Sequence, residues 1–323
     1  MLGSAHDRIV LELVPCSLTT ALLSHAECQL HEMGLLHPES PQRLRLIRDA
    51  LNLAGLTQRL ALYDAPSATD AQLSRVHDPR HLAALEALTP QSGYVPLDLE
   101  TRLNPSTMTS ARRAAGANIR AVQLVAEGEV DNAFCCVRPP GHHAERDRPV
   151  GFCFVNSLAV GVSEALARDD VERVAIVDFD VHHGNGTEHI FYDDPRVMIC
   201  STFQALLLPQ RLFSEHEDRI INVPLGAGAG TRAFREAVVR RWLPALERFD
   251  PDFLFISAGF DAHWLDTVSG INLTEDDFAW VTRELRAVAE RHCGGRLVSS
   301  LEGGYHVGAL PSCVSVHVGA LMH

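Results

Sequence analysis

Short apolar runs alternate with amphipathic stretches through the second half of the chain. The runs at Asn132–Val137, Val174–Phe179, Val197–Thr202, Ile220–Val223, Phe253–Ser257 and Arg296–Leu301 read as buried strands. Ser106–Glu127, Val155–Arg168, Thr231–Arg248 and Thr274–Arg291 carry apolar residues at three- and four-residue intervals, which predicts helices burying one face. Thr274 heads the last of these, and Asp277 three positions on completes a capping pattern. Strand followed by helix, repeated, predicts an α/β fold with a mainly parallel central sheet flanked by helices on both faces. The N-terminal third reads as helix-dominated, with helices over Pro41–Ala54 and Pro79–Leu88 packed on that sheet. No linker, internal repeat or low-complexity block interrupts the pattern, so a single domain is expected.

Composition narrows the function. Of 323 residues 46% are hydrophobic and 21% charged, a globular balance that allows one large core. With 28 Lys+Arg against 41 Asp+Glu the net charge is −13, which argues against duplex nucleic acid or an anionic membrane as a direct partner. It is compatible with a cationic substrate. The eight cysteines include adjacent Cys135 and Cys136 but no Cys-x-x-Cys spacing, and read as reduced core residues. The apolar stretch Ile9–Leu23 is interrupted by Glu12, Pro15, Ser17, Thr19 and Thr20, too short and too polar to span a bilayer. No Lys/Arg-rich leader precedes it, so a cytoplasmic protein is expected.

In such a fold ligands bind beyond the carboxyl ends of the strands, and reactive residue types follow four of the predicted strands. They are Arg138-Pro139-Pro140-Gly141-His142-His143, Asp178-Phe179-Asp180-Val181-His182-His183-Gly184-Asn185-Gly186, Ala258-Gly259-Phe260-Asp261 and Glu302-Gly303-Gly304-Tyr305. On an extended segment Asp178, Asp180 and His182 would share one face. Asp180, His182 and Asp261 from another strand end would then offer three ligands to divalent zinc, with a position left open for water or substrate. Taken alone, Asp-x-Asp-x-His is as readily a polar loop. Likewise His142-His143 alone could be a solvated pair, and Tyr305 a packed core residue. Together they suit a general base and acid beside a metal, with a phenol aimed at a developing oxyanion.

These four segments resemble the histone deacetylase family, in its bacterial class II-like branch, which includes acetylpolyamine amidohydrolases. His37-Pro38-Glu39-Ser40-Pro41-Gln42-Arg43-Leu44, Gly151-Phe152-Cys153-Phe154 and Asn272-Leu273-Thr274 extend the likeness over 24–323, leaving 1–23 as an N-terminal extension. The resemblance implies an arginase-like fold and hydrolysis of an acetylated amine to free amine and acetate. It implies one catalytic Zn²⁺ on Asp180, His182 and Asp261, with His142 and His143 as the tandem pair and Tyr305 polarising the acetyl carbonyl. Asp178 would orient His142, and Asn185 would orient His143, fixing its tautomer without raising its basicity as a carboxylate would. A structural K⁺ is implied at backbone oxygens of Asp178, Asp180, His182 and Thr202 with the side chains of Asp178 and Ser201. Substrate contacts are implied for Gly151, Phe152, Leu208 and Gly303.

Departures from the family pattern bear on substrate. Leu208, within Ser201–Pro209, stands where an aromatic tunnel wall is usual, leaving Phe152 as the clearer wall. His263-Trp264-Leu265 replaces a usual Asp-Pro-Leu run, and Trp264 is read as a packing residue, with a rim contact as the alternative; the rim acid is Asp98 or Glu100. The leading reading is a zinc-dependent deacetylase of ε-acetyl-lysine in proteins or peptides. The alternatives are an amidohydrolase of acetylpolyamines or other small acetylated amines, and a non-catalytic acyl-lysine binding protein. A manganese ureohydrolase would share the fold but has no use for Tyr305 or the His pair. Oligomeric state, a homo-oligomer included, is left open.

Overall fold

The strands expected from the apolar runs line up side by side in a computed structural model that describes residues 18–209, 216 and 218–323. In chain order the strands are β1 (Thr20–Ser24), β2 (Ala61–Asp64), β3 (Val95–Pro96), β4 (Arg102–Leu103), β5 (Asn132–Cys135), β6 (Val174–Asp178), β7 (Val197–Gln204), β8 (Ile220–Leu225), β9 (Phe253–Ala258) and β10 (Leu297–Leu301). The helices are α1 (Gln42–Leu53), α2 (Asp70–Leu73), α3 (Pro79–Leu88), α4 (Thr107–Ala126), α5 (Ser157–Ala165), α6 (Asn185–Phe191), α7 (Thr231–Ala237), α8 (Leu243–Phe249), α9 (Glu275–His292) and α10 (Ala309–Leu321). Eight strands form one parallel sheet in the order β2-β1-β5-β10-β9-β6-β7-β8, while β3 and β4 make a small antiparallel ribbon. Around it α4 packs with α5, and α10 with α1 and α9. β5, β6, β9 and β10 are buried along their whole length, as strands covered on both faces must be.

Three expectations change. The N-terminal third is not only helical: it supplies β1 and β2, and β1 takes residues 20–23 out of the expected extension and into the sheet. Residues 1–17, with the rest of that extension and Cys16, lie outside the described residues. The helix expected over Thr231–Arg248 is divided by a wide turn over Val238–Trp242, where the Leu243 N–H reaches back to the Val238 carbonyl. Pro244 has no N–H to continue the regular ladder, which accounts for the break. The Thr274 cap is present, its N–H donating to Asp277 Oδ2 at 3.1 Å. The seven cysteines within the described residues are free and buried. No helix among the described residues is long and apolar enough to cross a membrane.

Candidate active site

β5, β10, β9 and β6 are neighbours at the centre of the sheet, and their register puts Cys135, Ser300, Ser257 and Asp178 on one level. The loops that leave there carry the four reactive segments, so the side chains converge because the strands end together. The convergence of Asp178, Asp180 and His182 has a different cause from the one expected. β6 ends at Asp178, and the chain beyond it is coil, not an extended segment. Asp178 Oδ1 accepts the Asp180 N–H at 3.0 Å, and Asp180 Oδ1 accepts the His182 N–H at 2.9 Å. Two successive Asx turns thus bring the alternate side chains together. Phe179 and Val181 are buried in the core.

His182 Nδ1 lies 3.0 Å from Asp180 Oδ1 and 3.1 Å from Asp261 Oδ2. The remaining carboxylate oxygens are held by backbone: Asp180 Oδ2 by the Gly303 N–H at 2.8 Å, and Asp261 Oδ1 by the Val181 N–H at 2.9 Å. One ligand atom from each of Asp180, His182 and Asp261 falls within 4.8 Å of the others. Burial and the neighbouring Asp180 push the Asp261 carboxyl up to about 6. One imidazole nitrogen and two carboxylate oxygens suit a zinc ion with a coordination position to spare. Gly303 is required here, because a Cβ would stand 2.2 Å from Asp261 Oδ2.

The tandem histidines stack with ring centroids 4.0 Å apart, both buried. His142 Nδ1 donates to Asp178 Oδ2 at 3.0 Å. Against the cost of burial, the carboxylates of Asp180 and Asp178 raise the His142 pKa to about 10. His143 Nδ1 donates to Asn185 Oδ1 at 2.8 Å. Burial, with His142 and His182 as cationic neighbours, keeps the His143 pKa well below the ordinary imidazole value. The two rings therefore differ in their partners: one faces a carboxylate, the other a neutral amide. The Gly151 backbone packs on His143, where a Cβ would lie 2.5 Å from its Cδ2.

Tyr305 follows Gly304, whose φ of +113° lets the chain turn back over Phe260. Burial raises the phenol pKa well above its ordinary value, so it stays protonated. The turn is fixed by residues to which the sequence assigned no role. Asp266 Oδ2 accepts the N–H groups of Tyr305 at 2.7 Å and His306 at 3.1 Å. Arg43 lies over the phenol ring, its guanidinium carbon 5.0 Å from the centroid, and donates to the carbonyls of Gly304 and Glu302. Glu39 in turn binds Arg43 and fully buried Arg138. Glu302 Oε2 accepts the N–H groups of Gly141 and His142 at 2.6 and 3.1 Å. The one sequence signal for Glu39 and Arg43 was their place in the segment His37–Leu44 that extends the family likeness.

At the mouth Phe152 has φ +69° and packs edge-on against His37 at 4.6 Å and Tyr305 at 5.9 Å between centroids. His37 is thus the second ring beside Phe152, which the sequence reading missed. Leu208 is 78% exposed and shares the lining of a cavity of about 960 Å³ with Gly151, Leu97, Leu99, Asp98 and Glu100. It forms the lip, not a wall replacing an aromatic ring. Asp98 Oδ1 is engaged by the N–H groups of Glu100 and Thr101 in its own turn. Trp264, expected to pack, is 56% exposed, because the turn at 261–266 buries His263 and Asp266 instead. Ser201 on β7 pairs in register with Asp178, and its buried hydroxyl has no partner among the described residues; buried Thr202 follows it.

Residues 37–321 match the family model described as the histone deacetylase domain. The chain is 42% identical over 284 residues to a histone deacetylase-like amidohydrolase of Pseudomonas aeruginosa, covering 86% of this chain and 74% of that one. It is 37% identical over 303 residues to a probable deacetylase of Archaeoglobus fulgidus, covering 91% and 84%. Its fold superposes on the crystal structure of the HDA15 HD domain with a TM-score of 0.88 at 31% identity, covering 94% of this chain and 88% of that one. Fold, strand-end loops and kinship agree that the protein is a hydrolase acting on amides and belongs to the histone deacetylase family.

Proposed function

We propose that the protein hydrolyses the amide of ε-acetyl-lysine in a protein or peptide, giving lysine and acetate. The observation that carries this reading is the unequal histidine pair beside the Asp180, His182 and Asp261 cluster. Bound by those three residues, zinc would supply Lewis acidity toward the acyl oxygen and toward a water molecule. His143, with its Nδ1 hydrogen given to Asn185, presents Nε2 to take a proton from water and to return it to the leaving amine. An amine leaves poorly unless protonated, so this return is as important as the first transfer. His142, fixed by Asp178, keeps positive charge beside the developing oxyanion. Tyr305, held protonated by burial, donates a hydrogen bond to the same oxygen.

The alkyl stem of the substrate would lie along Phe152, Gly151 and Gly303. The rim favours a polypeptide over a polyamine, since Leu97, Leu99 and Leu208 offer apolar contact and the acids Asp98 and Glu100 share the lining with the cationic Arg148. A structural K⁺ beneath the β6 loop belongs to the same reading, at the backbone oxygens of Asp178, Asp180, His182 and Thr202; the unpartnered Ser201 hydroxyl supports it.

Acetate release from an acetyl-lysine peptide by the zinc-loaded protein, beside a chelated sample and N-acetylspermidine, tests the reading. The expected result is chelator-sensitive release with the peptide preferred. Tyr305→Phe should lower kcat by about 10²–10³ while leaving the melting temperature unchanged, because Phe keeps the packing under Arg43. Preference for N-acetylspermidine would move the assignment to small amines. No release from either substrate would overturn the hydrolytic reading.

A further inference from the structure

Asn185 can hold His143 in the right tautomer only if its own amide faces the right way. Carboxamide oxygen and nitrogen have nearly the same shape, so something outside the pair must tell them apart. The Asn185 Nδ2 lies 3.0 Å from Glu145 Oε1 and 3.4 Å from the His143 carbonyl, both acceptors. An ionised carboxylate can only accept, so the amide nitrogen must turn toward Glu145 and the oxygen toward His143 Nδ1. Were the amide reversed, its NH₂ would face Nδ1, which would become the acceptor. The ring hydrogen would then sit on Nε2, and Nε2 could take no proton.

Glu145 is built to hold this position. It is buried, its N–H donates to the Arg148 carbonyl at 2.9 Å, and its own carbonyl meets His77 Nδ1 at 3.0 Å. Arg148 donates to the same Oε1 at 2.9 Å, so two donors converge on the oxygen that faces Asn185. His189 Nδ1 stands 3.6 Å from the other oxygen. The amide between Glu145 and His143 transmits orientation while keeping the full negative charge off the ring, unlike the direct contact of Asp178 with His142.

We propose that Glu145 is a positioning residue for hydrolysis, orienting the Asn185 amide and thereby keeping the hydrogen of His143 on Nδ1. This rests on the reading of His143 as proton acceptor, but its test does not require turnover. Ring nitrogen shifts of the ¹⁵N-histidine-labelled, zinc-loaded full chain report the tautomer, with the His143 signals identified by their loss in His143→Ala. Wild type should show the Nδ1–H form. Glu145→Met, which removes the acceptor, should give a mixture of tautomers and lower kcat by roughly 10–100-fold with KM little changed. Glu145→Ala poses the same question should the Met variant fail to fold. Glu145→Gln should restore the wild-type tautomer and most of kcat, because Asn185 and Arg148 both select its carbonyl oxygen. In Glu145→Met combined with Asn185→Asp, a carboxylate needs no orienting, and the Nδ1–H form should return. An unchanged tautomer in both truncated variants overturns the proposal, whatever the activity. A silent wild-type enzyme with these tautomer changes intact would instead overturn the hydrolytic reading alone.

Discussion

Glu302 lies behind the histidine pair, its Oε2 holding two loop N–H groups and its buried Oε1 without a partner among the described residues. Burial raises its pKa from 4.5 to about 7, so the native protein keeps a proton that the unfolded chain releases across that interval. Stability from this group is full below about 4.5 and declines as pH rises to about 7, by on the order of 3 kcal/mol. Glu302→Gln keeps an oxygen for Gly141 and His142 and cannot ionise. Urea unfolding of both proteins across this range should show the variant gaining on wild type as pH rises; parallel curves would exclude the buried proton. Residues of this kind explain which part of the site was legible. Histidine pairs, alternate acids and a glycine-flanked tyrosine are uncommon types at telling spacings. Glu302, Glu39, Arg43 and Glu145 are charged residues like those on any surface, and only the folded chain reveals that they are buried. The ring beside Phe152 was misread for a related reason: His37 comes from a segment far earlier in the chain, and no local spacing connects the two.

The elements themselves were readable where they have a period or a continuous apolar run. β5, β6, β7, β9 and β10 lie where the runs predict, because strands buried on both faces are mostly apolar, and the part-exposed edge strand β8 coincides with its own run. β1 and β2 are short and flanked by polar residues, and α10 is apolar nearly all round, so neither strand run nor helical period marks them. What joins these elements is ionic. Arg138 leaves β5, Glu39 precedes α1, and Arg43 on α1 reaches the β10 loop, so one buried carboxylate ties three strand-end or helix-start segments. Arg138 also donates to the carbonyls of Cys28 and His31. Arg138→Met would fill the volume but leave Glu39 with Arg43 and strand two carbonyls. Removing one partner of a buried pair costs about 3–5 kcal/mol, and urea unfolding should show a loss of that size with the far-ultraviolet spectrum unchanged. A loss below about 1 kcal/mol, the worth of an exposed pair, would mean that the cluster is hydrated and does not join the elements.

For the molecule as a whole the site is also a liability, because two buried carboxylates share one imidazole at the carboxyl ends of the central strands. A divalent ion on Asp180, His182 and Asp261 would bind the folded protein and not the unfolded chain, where these residues come from separate loops. It therefore adds stability by RT ln(1 + [L]/Kd), about 2.7 kcal/mol at a hundredfold excess over Kd. The central sheet is one parallel unit with the ligands hung from β6 and β9, so the gain should appear in the unfolding of the whole domain and not in a loop alone. Chelation should lower the melting temperature by several degrees, and zinc should restore it together with acetate release. Asp261→Asn offers one weaker donor and removes a charge, so the variant should lose the zinc-dependent rise while its metal-free melting temperature stays at or above that of metal-free wild type. Calorimetry with and without chelator separates the outcomes: a zinc response that survives in Asp261→Asn would place the ion elsewhere, and with it the chemistry assigned to the four central loops.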